Sequence, residues 1–247
     1  MKHSQDSFDQ VLKTLKARGL NMSAVIDVAE LPSNIVDSMR ANNLDLSQYA
    51  RLVILGNAGK GFWQELEKFG NNGLNPIDRY SIHLAEQLIT SISESDDRNV
   101  LLYPLQDKVI PLQKLGELVG WGAPAPMGNS INEEYGLWFA LRAAFLTSAP
   151  LNCTQVKPQR SPCNTCEAKP CRLACPTAAV FDKVENFQLS KCIDHRLTAD
   201  SSCRSRCFAR LACPVGAEHR YPDWAVRQLY DHSLEAIAQW QRDNTGQ

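Results

Sequence analysis

Eight of the nine cysteines in this 247-residue chain lie between Cys163 and Cys213, in two sets of four that each close on Cys-Pro. The first reads Cys163-Asn-Thr-Cys166, then Cys171, then Cys175-Pro176. The second reads Cys192, Cys203-Arg-Ser-Arg-Cys207 and Cys213-Pro214. Thiolates are soft ligands, and four of them brought to one place suit a transition-metal centre. The duplication therefore predicts two centres. The proline after each last thiol has no N–H and a fixed φ, so the chain turns away once that sulfur is placed. Three chemistries compete: two iron–sulfur cubanes, two structural zinc sites, or a disulfide framework. All-cysteine zinc sites show two close pairs, and only Cys163/Cys166 stands as a Cys-x-x-Cys pair. Disulfides belong to oxidising compartments, and the sequence points to none.

A cysteine run closed by Cys-Pro resembles that of bacterial ferredoxins, which hold 4Fe–4S clusters. The spacing is wider here. Four residues, Glu167 to Pro170, separate the second and third cysteines, and ten separate Cys192 from Cys203. In two-cluster ferredoxins the cysteine of each Cys-Pro ligates the other cluster. That topology implies one cubane on Cys163, Cys166, Cys171 and Cys213, and one on Cys175, Cys192, Cys203 and Cys207. Cys153 is left over and reads as a structural thiol.

The elements that must position these residues read as ordinary globular structure. The chain is 44% hydrophobic and 21% charged, with a net charge of −1. No apolar run approaches the ~20 residues of a membrane span, and Met1 to Arg18 is amphipathic, without a signal-peptide core. A cytoplasmic, reducing setting suits eight thiolates kept for metal. Helices are expected from Asp6 or Ser7 to Arg18, over 34–41, 62–69, 77–92 and 111–119, and from Asp223 to Gln241. Strands are expected over 23–28, 51–55, 100–105 and 135–146, the second because Leu-Val-Ile-Leu is apolar without alternation. Ile82, Ala85, Leu88 and Ile92 are the expected inward face of the fourth helix, and Trp240 is among the packing residues of the last.

Gly56 to Gly61 fails the phosphate-loop pattern and reads as a tight turn between strand and helix. The histidines are dispersed and form no ligand spacing. Residues 151–220 hold 11 Lys/Arg and 6 Asp/Glu, a balance of +5. Two anionic clusters would be offset by such cations. A docking face for an acidic donor is the second reading, and nucleic-acid phosphates a disfavoured third. The loop Gly120-Trp121-Gly122 to Gly128 is irregular, and Tyr135 and Trp138 follow it. Glycines admit a large ring and aromatics offer flat contact, although core packing is the commoner use of such rings.

Taken together, Gly120-Trp121, Tyr135-Gly136-Leu-Trp138-Phe-Ala-Leu-Arg142, the cysteine sets and Cys192-Ile-Asp-His-Arg-Leu197-Thr198 resemble the cobalamin-dependent epoxyqueuosine reductases. More distantly they resemble cobalamin-processing chaperones and reductive dehalogenases. The resemblance spans about Leu112 to Pro214. It implies an α+β fold: a nitroreductase-like sheet-and-helix core over 1–150, then a two-cluster ferredoxin-like module over 151–247 with a closing helix. It also implies cobalamin against Gly120, Trp121, Gly122, Tyr135 and Trp138. The clusters would be fed by a redox donor of the flavodoxin or ferredoxin-reductase type. Those reductases carry Asp-Thr-Gly-Pro, with a proposed proton-donor aspartate, where this chain has Tyr103-Pro-Leu-Gln106-Asp107, and Asp107 stands out of register. The function this predicts is an iron–sulfur redox protein passing electrons to a corrinoid, with a plain ferredoxin-like carrier or an RNA-acting reductase as alternatives.

Overall fold

The computed structural model describes residues 2–70, 72–105, 109–157 and 159–245. In chain order its elements are α1 (Lys2–Ala17), β1 (Met22–Asp27), α2 (Ser33–Arg40), β2 (Arg51–Ala58), α3 (Gly61–Phe69), α4 (Pro76–Ile92), β3 (Asn99–Tyr103) and α5 (Leu112–Leu118). There follow β4 (Ala123–Pro124), β5 (Ser130–Ile131), β6 (Phe139–Thr147), α6 (Pro170–Leu173), α7 (Leu189–Leu197), α8 (Phe208–Ala212) and α9 (Asp223–Thr245). The fold is α+β. None of the described helices is long and apolar enough to cross a membrane.

The chain divides into two compact units, one of residues 1–121 with 139–158, the other of 122–138 with 159–247. This differs from a single cut at residue 150. The stretch 122–138 leaves the core and joins the cysteine-bearing unit, and the chain returns to the core as β6.

The first unit is built on a four-stranded sheet of order β1-β2-β6-β3 with every pair antiparallel. The central strands are buried on both faces: Leu52 to Leu55 and Ala143 to Leu146 have no exposed surface. That is why their sequences are apolar without alternation. One face carries Leu52, Ile54, Ala144 and Leu146 against Ile35 and Met39 of α2 and Leu115 of α5. Helix α4 packs against both α1 and α3; α3 also lies against β2, and α4 against β6. The buried side of α4 runs Tyr80, Leu84, Ala85, Leu88 and Ile92. Ile82, expected on it, is only half-buried.

Besides helix ends (α1 already starts at Lys2, ahead of Asp6 and Ser7), two strand boundaries depart most from expectation. Strand β2 does not end at Leu55. A bulge at Leu55/Gly56 lets it run on to Ala58, paired with β6. Only Gly59 and Lys60 remain as the turn before α3. Gly56 is glycine because a Cβ there would sit 2.7 Å from the Trp121 ring. On β6, Arg142 is 5% exposed and donates from Nε to Asn57 Oδ1 at 2.6 Å. Its guanidinium also lies 4.8 Å from the Phe62 ring and 5.1 Å from that of Trp63. The other departure is the start of β6, at Phe139 and not Tyr135. Asn132 Oδ1 accepts from the backbone N–H groups of Glu134 and Tyr135, at 2.8 and 2.9 Å, and curls the chain. Gly136 then takes a φ of +56°, which a strand does not use.

Ahead of α9, the second unit is the β4–β5 pair and short helices joined by loops. Pro162–Asn164, Val184–Asn186 and Ala217–His219 are single 3-10 turns. Its small apolar core is Ala125, Ile131, Leu137 and Cys213, with Met127, Cys163 and Val215 against it. Backbone contact takes the place of bulk. A Cβ on Gly136 would lie 1.9 Å from the Val215 carbonyl oxygen, and one on Gly216 2.3 Å from the Tyr135 carbonyl carbon. This crossing holds the 132–138 turn against the residues after Cys213-Pro214. Helix α9 is longer than expected, and Trp240 on it is 58% exposed.

Candidate metal centres

The first three cysteines are set by tight local structure. Cys163 sits in the Pro162–Asn164 turn, and Cys171 in α6, which Lys169 enters with a φ of +37°. Cys213 comes from the end of α8, more than forty residues further on. Burial raises the Cys171 thiol pKa, and the nearby Cys163, Cys213 and Cys166 sulfurs add to the rise. Burial also raises Cys213, again with Cys163 and Cys166 beside it. These four sulfurs line an apolar chamber with Met127, Ile131, Leu137 and the prolines 126, 162, 170 and 214.

The second set gathers differently. Cys192 lies on α7, Cys207 is the N-cap residue of α8, and Cys175 follows α6. Burial pushes Cys192 up to about 11, and Cys207, Cys175 and Cys203 reinforce it. Cys203 is raised by burial, with Cys207 and Cys175 beside it. Cys175 goes the other way. Burial acts to raise it, but the Thr177 hydroxyl and the N–H groups of Ala179, Thr177 and Val180 outweigh burial and lower it. Thr177 Oγ1 is 3.5 Å from Cys175 Sγ, and the Arg210 N–H donates to Cys207 Sγ at 3.5 Å.

The eight thiols thus gather as Cys163, Cys166, Cys171 and Cys213, and as Cys175, Cys192, Cys203 and Cys207. Each set takes its Cys-Pro cysteine from the other half of the sequence. Among the described residues, no group of three or more His, Cys, Asp or Glu side chains converges on a point that could hold a single metal ion. Cys153 is exposed.

The cations of this region are largely committed. Arg196, 8% exposed, donates to the Tyr230 carbonyl at 2.9 Å and to Ser233 Oγ at 3.1 Å. Arg210 donates to the Leu137 carbonyl at 2.6 Å, and Arg220 to that of Leu211 at 2.6 Å. Lys169 and Arg172 share Asp182, at 3.3 and 2.7 Å. Part of the +5 balance is therefore structural glue for the loops that carry the thiols.

With this geometry in view, the chain can be compared with known proteins. It resembles an epoxyqueuosine reductase from Streptococcus thermophilus, with a TM-score of 0.56 and 13% identity over 86% of this chain and 67% of that one. A Bacillus subtilis epoxyqueuosine reductase gives 0.56 and 13% over 89% and 68%. The catabolic reductive dehalogenase NpRdhA gives 0.54 and 12% over 96% of this chain but only 35% of its own. No protein-family model and no curated protein matches the chain. At such identities the likeness is one of fold, an α+β fold.

The residues expected against a corrinoid have other tasks. Trp121 is 8% exposed and packs over Gly56 in the core of the first unit. Gly120 is glycine because a Cβ would lie 2.3 Å from the Lys157 carbonyl oxygen. Gly122 is buried in the second unit. Trp138 has no exposed surface: the Arg210 guanidinium stands 4.4 Å from its ring centre, and Tyr221 meets it edge-on at 5.3 Å. Tyr135 is half-buried beside His219, with ring centres 4.7 Å apart. Trp121 and Trp138 are thus covered by the chain itself, while Tyr135 keeps part of its surface exposed. Asp107 lies outside the described residues. Sequence reading missed Arg210 and Thr177. The signal for Thr177 was its place two residues after a predicted ligand; Arg210 carried none.

Proposed function

We propose that the protein is a ferredoxin-like iron–sulfur electron carrier with two 4Fe–4S clusters. One is held by Cys163, Cys166, Cys171 and Cys213, the other by Cys175, Cys192, Cys203 and Cys207. The observation that carries this reading is the gathering of eight thiols into two fours across the sequence halves. Bound there, such clusters supply one-electron transfer. The chain's own contribution is to bury the sulfurs, to donate hydrogen bonds to Cys175 and Cys207, and to keep cations nearby. Electrons would come from a flavodoxin- or ferredoxin-reductase-type donor in the cytoplasm.

The test is metal analysis. Anaerobically reconstituted protein is expected to hold about eight iron and eight sulfide per chain, the content of two cubanes. Stoichiometric zinc without labile sulfide would overturn the proposal. A second reading, a reductase with cobalamin in its core, is favoured by the fold shared with the epoxyqueuosine reductases and with a dehalogenase described as B12-dependent. It requires cob(II)alamin to change its visible spectrum on titration with cluster-loaded protein. An unchanged spectrum leaves the carrier.

A further inference from the structure

We infer that Thr177 is a positioning residue that tunes the second thiol set, so that a cluster on Cys175, Cys192, Cys203 and Cys207 has the higher reduction potential of the two. The inference rests on the two-cluster reading.

The two sulfur environments differ in kind. The second set is the richer in donors: Thr177 Oγ1 meets Cys175 and the Arg210 N–H meets Cys207, each at 3.5 Å, and the Ser202 hydroxyl and Phe208 N–H act on Cys203. A metal-bound sulfur carries no proton, so the Thr177 hydroxyl must be the donor. The N–H groups of Ala179, Thr177 and Val180 act on the same sulfur. The first set faces an apolar chamber of Met127, Ile131, Leu137 and prolines. There Arg172 and Val215 offer one N–H each, to Cys171 and Cys213. The Ser161 hydroxyl adds one hydrogen bond, to Cys163. Cations do not reverse the contrast. Lys169 beside Cys163 is shared with Asp182, and Arg220 beside Cys213 donates to the Leu211 carbonyl. Arg196 stands beside Cys192.

Reduction adds one electron to an already anionic centre; no bond is made or broken and no proton moves. Hydrogen bonds to sulfur favour the more negative state, while an apolar wall disfavours it, so both raise the second set relative to the first. The electron, supplied by a donor protein or by dithionite, then rests on the second set before the first fills.

The experiment is an EPR-monitored redox titration of the reconstituted full chain, with signals assigned through Cys166→Ser and Cys192→Ser. Two one-electron steps are expected, the upper belonging to the signal that Cys192→Ser alters. Thr177→Val should lower that step and leave the other in place, while Thr177→Ser keeps both. An upper step belonging to the Cys166 signal, or a Thr177→Val protein with neither step moved, would overturn the inference. If Thr177→Val fails to fold, the order of the two wild-type steps decides. Wild-type protein that takes up no iron and sulfide ends the two-cluster reading as well, whereas two clusters in the opposite order end this inference alone.

Discussion

Cys175 and Cys192 belong to one thiol set yet titrate in opposite directions, because hydrogen-bond donors surround the first and burial dominates the second. At pH 7 a thiol pushed up to about 11 is thiolate in roughly one molecule in ten thousand. A thiol lowered below its usual value is thiolate far more often, and the thiolate is the nucleophile. In metal-free protein, iodoacetamide is therefore expected to modify Cys175 at least about tenfold faster than Cys192, as read by peptide mass spectrometry. Equal rates would remove the donor network around Cys175. At this scale the sequence was most legible where chemistry is written in residue type: eight thiols and two Cys-Pro endings were plain. The uses of Trp121, Trp138 and Arg142 were not. An aromatic beside glycines reads the same whether it faces a ligand or packs over Gly56, and only the fold brings Gly56 under Trp121.

Among the elements, the one buried residue of α7 is Arg196, and it ties that helix to α9. Its guanidinium donates to the Tyr230 carbonyl and Ser233 Oγ on α9, and lies 5.0 Å from the Tyr230 ring centre. Arg196→Ala would remove these charge-assisted hydrogen bonds, at a cost of about 3 kcal/mol. The expected result is a lower denaturant midpoint with faster amide exchange in α9; an unchanged midpoint would show that α9 docks by other means. Most helices and strands were readable from periodicity and caps, because burial on one or both faces imposes the pattern directly. The start of β6 was not. Residues 135–146 are apolar enough for one long strand, but the Asn132 side chain and the positive φ of Gly136 turn the first of them aside. Asn132 lies three residues upstream, and the crossing with Val215 that demands Gly136 lies some eighty residues downstream.

For the whole molecule, the sequence separated a sheet-and-helix core from a cysteine-rich region. It did not show that 122–138 leaves the first unit for the second. That excursion supplies Ala125, Ile131 and Leu137, three of the four buried residues of the small core around Cys163 and Cys213, and so joins the first thiol set to a segment earlier in the sequence. The central claim is that each four-thiol set, completed by a cysteine from the other half, holds a cluster. The most direct measurement compares EPR spectra of dithionite-reduced, reconstituted Cys175→Ser, Cys166→Ser and Cys192→Ser proteins. Crossed sets predict that Cys175→Ser changes the signal that Cys192→Ser changes and spares the one that Cys166→Ser changes. A Cys175→Ser protein that instead loses the Cys166 signal and keeps the Cys192 signal would contradict the account.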